Sequence, residues 1–244
     1  MKRKIVFGFL AGVLLCCILT VYFKRHALAC EFIPMFSKEQ LVSRVFVTDN
    51  VSKQQKEDIK QFLPEAYNRI SQLYGSPESL PKFLFTASVE EANSWGANET
   101  ASMHRLPWGS CVVVGPKGHN VDVVAHEWLH AEAQHRVGFF RFIKEVPIWF
   151  DEGAALTVDF RAPYLPENIG LPDNEIVRVR SIEHAKDFFS DNAVLNYQAA
   201  RLAVIPLIDR NNFYNHLDSV ASGSSFEDVF AVKKEKLTNN GVHP

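Results

Sequence analysis

His126-Glu127-Trp128-Leu129-His130 places two imidazoles four residues apart with a carboxylate between them. On a helix, positions four apart share a face, so His126 and His130 can approach a single cation. Zinc takes nitrogen, sulfur or carboxylate donors in a tetrahedral array, and a catalytic zinc site keeps one position for water. Two histidines leave that set one protein ligand short, and two downstream carboxylates compete for the place. Glu152 follows Pro147-Ile148-Trp149-Phe150-Asp151 and precedes Gly153-Ala154-Ala155, a short apolar helix with proline at its start. Glu145 is nearer to His130 but precedes Val146-Pro147 and has no such helix around it. The motif favours Glu152. Glu127 sits where it can act on a metal-bound water instead of on the metal.

These residues need elements to hold them. Gly115-Pro116-Lys117-Gly118 is turn chemistry, and Asn120 or Asp122 can cap a helix over 121–137 that Gly138 ends. Val121, Val124, Ala125, Trp128 and Leu129 supply the surface that buries it. Gly153 costs a helix about 1 kcal/mol against alanine, so its place beside Glu152 predicts close packing there. A carboxylate should orient a ligand histidine from behind, and Asp122, Asp151 and Asp159 are the candidates. The other histidines lack partner spacing.

Upstream, 44–48 reads as a strand, 52–74 as a helix that Pro64 should kink or split, and 82–86 as a second strand. A short helix near 89–95 and a strand at 110–115 follow. Downstream, 161–166 and 170–173 are loops bordering a cleft. Helices at about 190–208, 211–221 and 225–231 close the chain, the first with a possible kink at Pro206. The expected class is α+β: a small mixed sheet and the metal helix, then a mainly helical part.

His126-Glu127-Trp128-Leu129-His130 together with Trp149-Phe150-Asp151-Glu152-Gly153-Ala154-Ala155 resembles the gluzincin metallopeptidases, especially the peptidase MA-like group. The resemblance spans roughly residues 46–230, and the two motifs carry its specificity. It implies a zincin-like fold with Zn2+ held by His126, His130 and Glu152, and with Glu127 as general base. The G-x-M-E-N element that binds a substrate amino terminus in the large gluzincin aminopeptidases is not found in this sequence. The resemblance also implies an edge strand beside the metal that pairs with extended peptide, a role for which 110–115 stands in the matching place. An ordinary core strand is the competing reading of that segment. In Asn196-Tyr197-Gln198-Ala199-Ala200, the resemblance makes Tyr197 the donor to an oxyanion, against a tyrosine that only packs in a core.

The 244 residues allow one medium domain plus an appendage, and a hydrophobic content of 47% supports a sizeable core. With a net charge of −2, nothing indicates nucleic-acid binding. Residues 1–4 carry Lys2, Arg3 and Lys4, and 5–23 contain no charged residue. About 20 apolar residues span a bilayer, whereas a signal-peptide core has roughly 7–15. The expected organisation is therefore a cytoplasmic tail at 1–4, a transmembrane anchor at 5–23 and a linker at 24–43. A peptidase domain at 44–232 and a loose tail at 233–244 complete it. The charge bias puts the amino terminus in the cytoplasm and the domain outside, as a single-pass membrane protein. Ala27-Leu28-Ala29 supports the competing reading, a cleaved signal peptide. Cys16 and Cys17 fall in the apolar run, and Cys30 and Cys111 are free to pair in an oxidising compartment, though spacing does not require it. The expected function is a membrane-anchored zinc peptidase acting on peptide or protein substrates. The alternative is a membrane-tethered zinc-binding module without peptidase activity.

Overall fold

Five strands, β1 (Glu39–Val42), β2 (Val45–Val47), β3 (Lys82–Phe85), β4 (Ala101–Leu106) and β5 (Gly109–Val114), form one mixed sheet. Their spatial order is β1-β2-β3-β5-β4. The pairs β2–β3 and β3–β5 are parallel, and the outer pairs are antiparallel. The structure is a computed structural model and describes residues 25–36 and 38–232. The apolar run at 5–23, the basic residues before it and the tail from 233 lie outside the described residues. Among the described residues no helix is long and apolar enough to cross a membrane.

Side chains alternate across a strand, and here both faces are covered. Val45, Val47, Phe83, Phe85, Val112 and Val114 point into the main core with α2 (Lys53–Tyr74) and α4 (Val121–Val137). Phe46, Leu84, Cys111 and Val113 face the other way, onto Cys30 and Ile33 from the amino-terminal segment and Ala92 of α3 (Val89–Ser94). Burial on both sides explains why these strands read as unbroken apolar runs. Ser52 and Gln55 form a reciprocal capping box on α2. Of the kink or split expected at Pro64, the split does not occur: the helix passes through as one 22-residue element.

Residues 25–36 and 38–42, within the stretch expected as linker, pack on the sheet. Residues Arg25–Glu31 form α1, and β1 extends the sheet. Lys82 binds Glu31 through both its carbonyl and its carboxylate, and a disulfide joins Cys30 to Cys111 on β5. Glu39-Gln40-Leu41-Val42 is mostly exposed and shows no apolar alternation to announce a strand; its pairing with β2 makes it one.

Beyond α4 the chain is helical: α5 (Phe139–Glu145), α6 (Ile148–Ala155), α7 (Asp173–Arg180), α8 (Ala185–Phe188) and α9 (Ala193–Val204). Two more follow, α10 (Phe213–Ala221) and α11 (Phe226–Val229). Trp149 and Phe150 from α6 are buried with Phe213, Phe226 and Phe230 in an aromatic cluster that roots this half of the molecule. The α+β expectation holds: a small mixed sheet, the helix bearing both histidines, and a mainly helical remainder.

Candidate metal centre

Asn120 opens α4, its carboxamide oxygen accepting from the Val123 amide. Asp122 instead receives Arg69. Val124, Ala125 and Leu129 press α4 against the sheet, and this fixes which way His126 and His130 face. Both histidines are buried. Their rings stand edge to face with centroids 4.7 Å apart.

Pro147 starts α6, whose glycine lets it lie against α9. A Cβ on Gly153 would overlap the Ala200 carbonyl oxygen and stand 2.6 Å from the Val204 side chain. That close approach, expected from the sequence, puts Glu152 opposite the two histidines. His126 Nε2 and His130 Nε2 are 3.1 Å apart, and Glu152 Oε2 is 3.4 Å from each. Donors about 2.05 Å from a tetrahedral zinc would stand roughly 3.3 Å from one another. The three atoms therefore already have the spacing of a tetrahedral face. Among the described residues, buried Glu152 Oε2 has no hydrogen-bond partner.

Protonation makes the same point. His130 Nδ1 lies 2.6 Å from Asp151 Oδ1. A carboxylate accepts, so Nδ1 carries the proton and neutral Nε2 turns its lone pair inward. Asp159 Oδ2 stands 3.5 Å from His126 Nδ1 in the matching position. Two lone pairs and a carboxylate oxygen thus converge, an arrangement that a cation stabilises. Without one, protons take its place. Burial alone would lower His130, but Asp151 and Glu152 outweigh it and raise the ring well above 6.5. Burial would raise Glu152, and the two histidines pull it far below the usual carboxylate range instead. Asp159 is pushed up by burial and drawn down further by His126 and Arg161. The residues present fit a zinc ion: His126, His130 and Glu152 would hold it, with Asp151 and Asp159 behind the histidines.

Glu145, the competing third ligand, pairs with Lys144 on α5 and does not join the group. His119 packs its ring edge on Phe85 and stays outside the cleft.

A cleft of about 560 Å³ opens in front of the group, lined by His126, Glu127, His130 and Glu152. Glu127 is half-buried, and burial raises its carboxyl above the ordinary 4.5 despite the two histidines nearby. Tyr197 lies on the same wall, its ring 6.5 Å from that of His126 and packed on Tyr164, Phe188 and Phe189. Burial, then the negative charges of Glu152 and Glu127, raise its phenol far above 10, so it stays a donor. Asn196 holds this wall: it is buried, donates to the Phe188 carbonyl and accepts from Arg178.

The other wall corrects the sequence reading. Residues 109–114 form β5, an interior strand between β3 and β4, and do not offer a free edge. The edge beside the cleft is β4, with Ala101, Ser102, Met103 and Arg105 lining it. Sequence reading missed β4. Its signal was a hairpin: Ala101-Ser102-Met103-His104-Arg105-Leu106, two turn residues, then the Val-rich run. The Gly115 amide bonds the Thr100 carbonyl, which sets the alternation along the ladder. By that alternation the backbone groups of 101, 103 and 105 point to the open edge.

No protein-family model, curated protein or solved structure matches the chain. What the fold and site define is an α+β protein with a buried His126–His130–Glu152 group able to hold a metal ion, compatible with an H-E-x-x-H zincin motif.

Proposed function

We propose that this chain is a zinc-dependent peptidase of the gluzincin kind, hydrolysing peptide bonds in extended substrates. The observation that carries the reading is one cleft holding three ligand atoms at tetrahedral spacing, a separate carboxylate on Glu127 and an edge strand alongside. Zinc, when bound, polarises a carbonyl and lowers the pKa of water. Glu127 takes the proton from the attacking water and delivers it to the leaving amine. Its raised carboxyl suits that exchange, because a general base works best near the operating pH. Tyr197 donates its hydroxyl to the substrate oxygen as negative charge develops there. The outward backbone groups of β4 pair with the substrate strand and hold it in register.

The protein is anchored by residues 5–23, with 1–4 in the cytoplasm and the domain outside it. The Cys30–Cys111 disulfide supports an oxidising compartment.

The decisive experiment loads the full-length chain with zinc and compares wild type with Glu127→Gln and Tyr197→Phe on a broad peptide library. Glu127→Gln should keep its zinc and lose about 10²–10⁴-fold in kcat. Tyr197→Phe should lose roughly 10²–10³-fold with little change in KM. Undiminished turnover in Glu127→Gln would sink the mechanism. A wild type that holds zinc and cleaves nothing would make the chain a membrane-tethered binding module.

A further inference from the structure

Behind each histidine the structure repeats one motif that the proposed mechanism leaves unused. His130 Nδ1 meets Asp151, and the other Asp151 oxygen receives the Arg105 guanidinium. His126 Nδ1 faces Asp159, which the Arg161 guanidinium grips through Nε at 2.9 and 3.0 Å and through a second nitrogen. Both aspartates are almost fully buried, at 4% and 1% exposure. Neither could hold its charge there without a partner on each side. Around the centre the four carboxylates of Glu127, Asp151, Glu152 and Asp159 face two guanidiniums, which leaves two negative charges for a divalent ion to cancel.

We propose that Arg105 and Arg161 are positioning residues for the metal, aiming the histidine Nε2 atoms through Asp151 and Asp159. This rests on the metal reading of the site. Arg105 is the stronger of the two. It comes from the edge strand β4, so it ties the wall that faces substrate to a metal ligand. It is itself fixed three ways: it donates to Asp151, donates to Gln134 at 3.3 Å, and lies 4.5 Å above the Phe142 ring. Gln134 in turn donates to the Leu106 and Gly109 carbonyls and so holds the β4–β5 turn. Strand, aspartate and imidazole are therefore joined in one chain of contacts. The Arg161 arm ends in a looser contact, 3.5 Å at His126 against 2.6 Å at His130. It should matter less.

The test uses the full-length chain in detergent at a fixed pH near 8. Zinc affinity is read by competition with a chromophoric chelator, and the site's geometry by the visible spectrum of the cobalt-loaded protein. Arg105→Gln should weaken zinc by about 10–100-fold and alter the cobalt spectrum, and Arg161→Gln should do so by less. Arg105→Lys, which returns a cation beside Asp151, should recover most of the loss. Because Arg105→Gln leaves a buried carboxylate unpaired, it is also made on Asp151→Asn, where that charge is gone. In that background it should cost no further affinity, since the two residues act through one contact. Wild-type affinity and spectrum in both glutamine variants overturn the proposal, as does an equal loss with or without Asp151. A wild type that binds neither zinc nor cobalt overturns the metal reading beneath it, so the two failures are told apart.

Discussion

Single protons decide how this centre behaves when no metal is bound. In the metal-free chain His130 is raised above its ordinary 6.5, so its stabilising contact is complete below that value and fades as pH rises through the folded value. Glu152 is lowered, so its contribution is present above 4.5 and is lost as pH falls toward its folded value. The metal-free site is therefore most stabilising between about 4.5 and 6.5. Zinc needs both histidines neutral and competes with those protons, so it gains as pH rises. The increase in Tm on adding saturating zinc should be larger near pH 8 than near pH 6. Thermal scans with and without zinc measure it, and an equal gain at both values would contradict the assignment of His126 and His130 as ligands. At this scale the sequence was informative. His126, His130 and Glu152 were legible as a group able to hold a metal ion, because ligation needs those residue types at such spacings. Arg105 and Arg161 were not, because an arginine binds a distant aspartate without any periodic signal.

At the level of elements, β4 explains most of what was misjudged. Its residues Ser102 to Arg105 are polar or half-buried, as an edge strand's are, and they lack the apolar run that announced β5. Of the two readings of 110–115, substrate edge or core strand, the sheet bears out the core strand, because edge and interior are properties of the sheet order alone. If β4 pairs with substrate, removing one outward amide should weaken binding without breaking the ladder. Met103→Pro does this, since proline is tolerated where a strand's N–H faces away from its partner. KM should rise by about tenfold, close to the loss of one well-made hydrogen bond, with kcat and Tm little changed. Peptide kinetics and a melting scan check both halves; a large drop in Tm with KM unchanged would show that 103 faces β5 instead.

Over the whole molecule, the disulfide ties the amino-terminal segment to the sheet, and the aromatic cluster roots the carboxyl-terminal helices on α6. The Cys30–Cys111 bridge spans 81 residues and ties α1 to the sheet on the face opposite the metal helix. Closing a loop of that length removes chain entropy from the unfolded state worth about 4.5 kcal/mol. Replacing both cysteines with serine should lower Tm clearly while leaving zinc affinity unchanged, since the two features lie on opposite faces of the sheet. If the domain lies outside the cytoplasm, the two thiols should also resist alkylation in intact cells until a reductant is added. Free, reactive thiols in untreated cells would place the domain in a reducing compartment.

The H-E-x-x-H pair, the glutamate after a proline-started helix, the α+β class and the close packing at Gly153 all follow from local spacing and composition. They are set by contacts within a few turns or by chemistry that accepts few residue types. Motif favoured Glu152 over Glu145, and the fold brings Glu152 beside the two histidines by laying α6 across α4. Only tertiary structure chose Asp151 and Asp159 over Asp122, made β4 the wall of the cleft, and brought Arg105 and Arg161 behind the histidines. Those outcomes depend on sheet order and helix crossing, which sum weak preferences over the whole chain and leave no mark at any one residue.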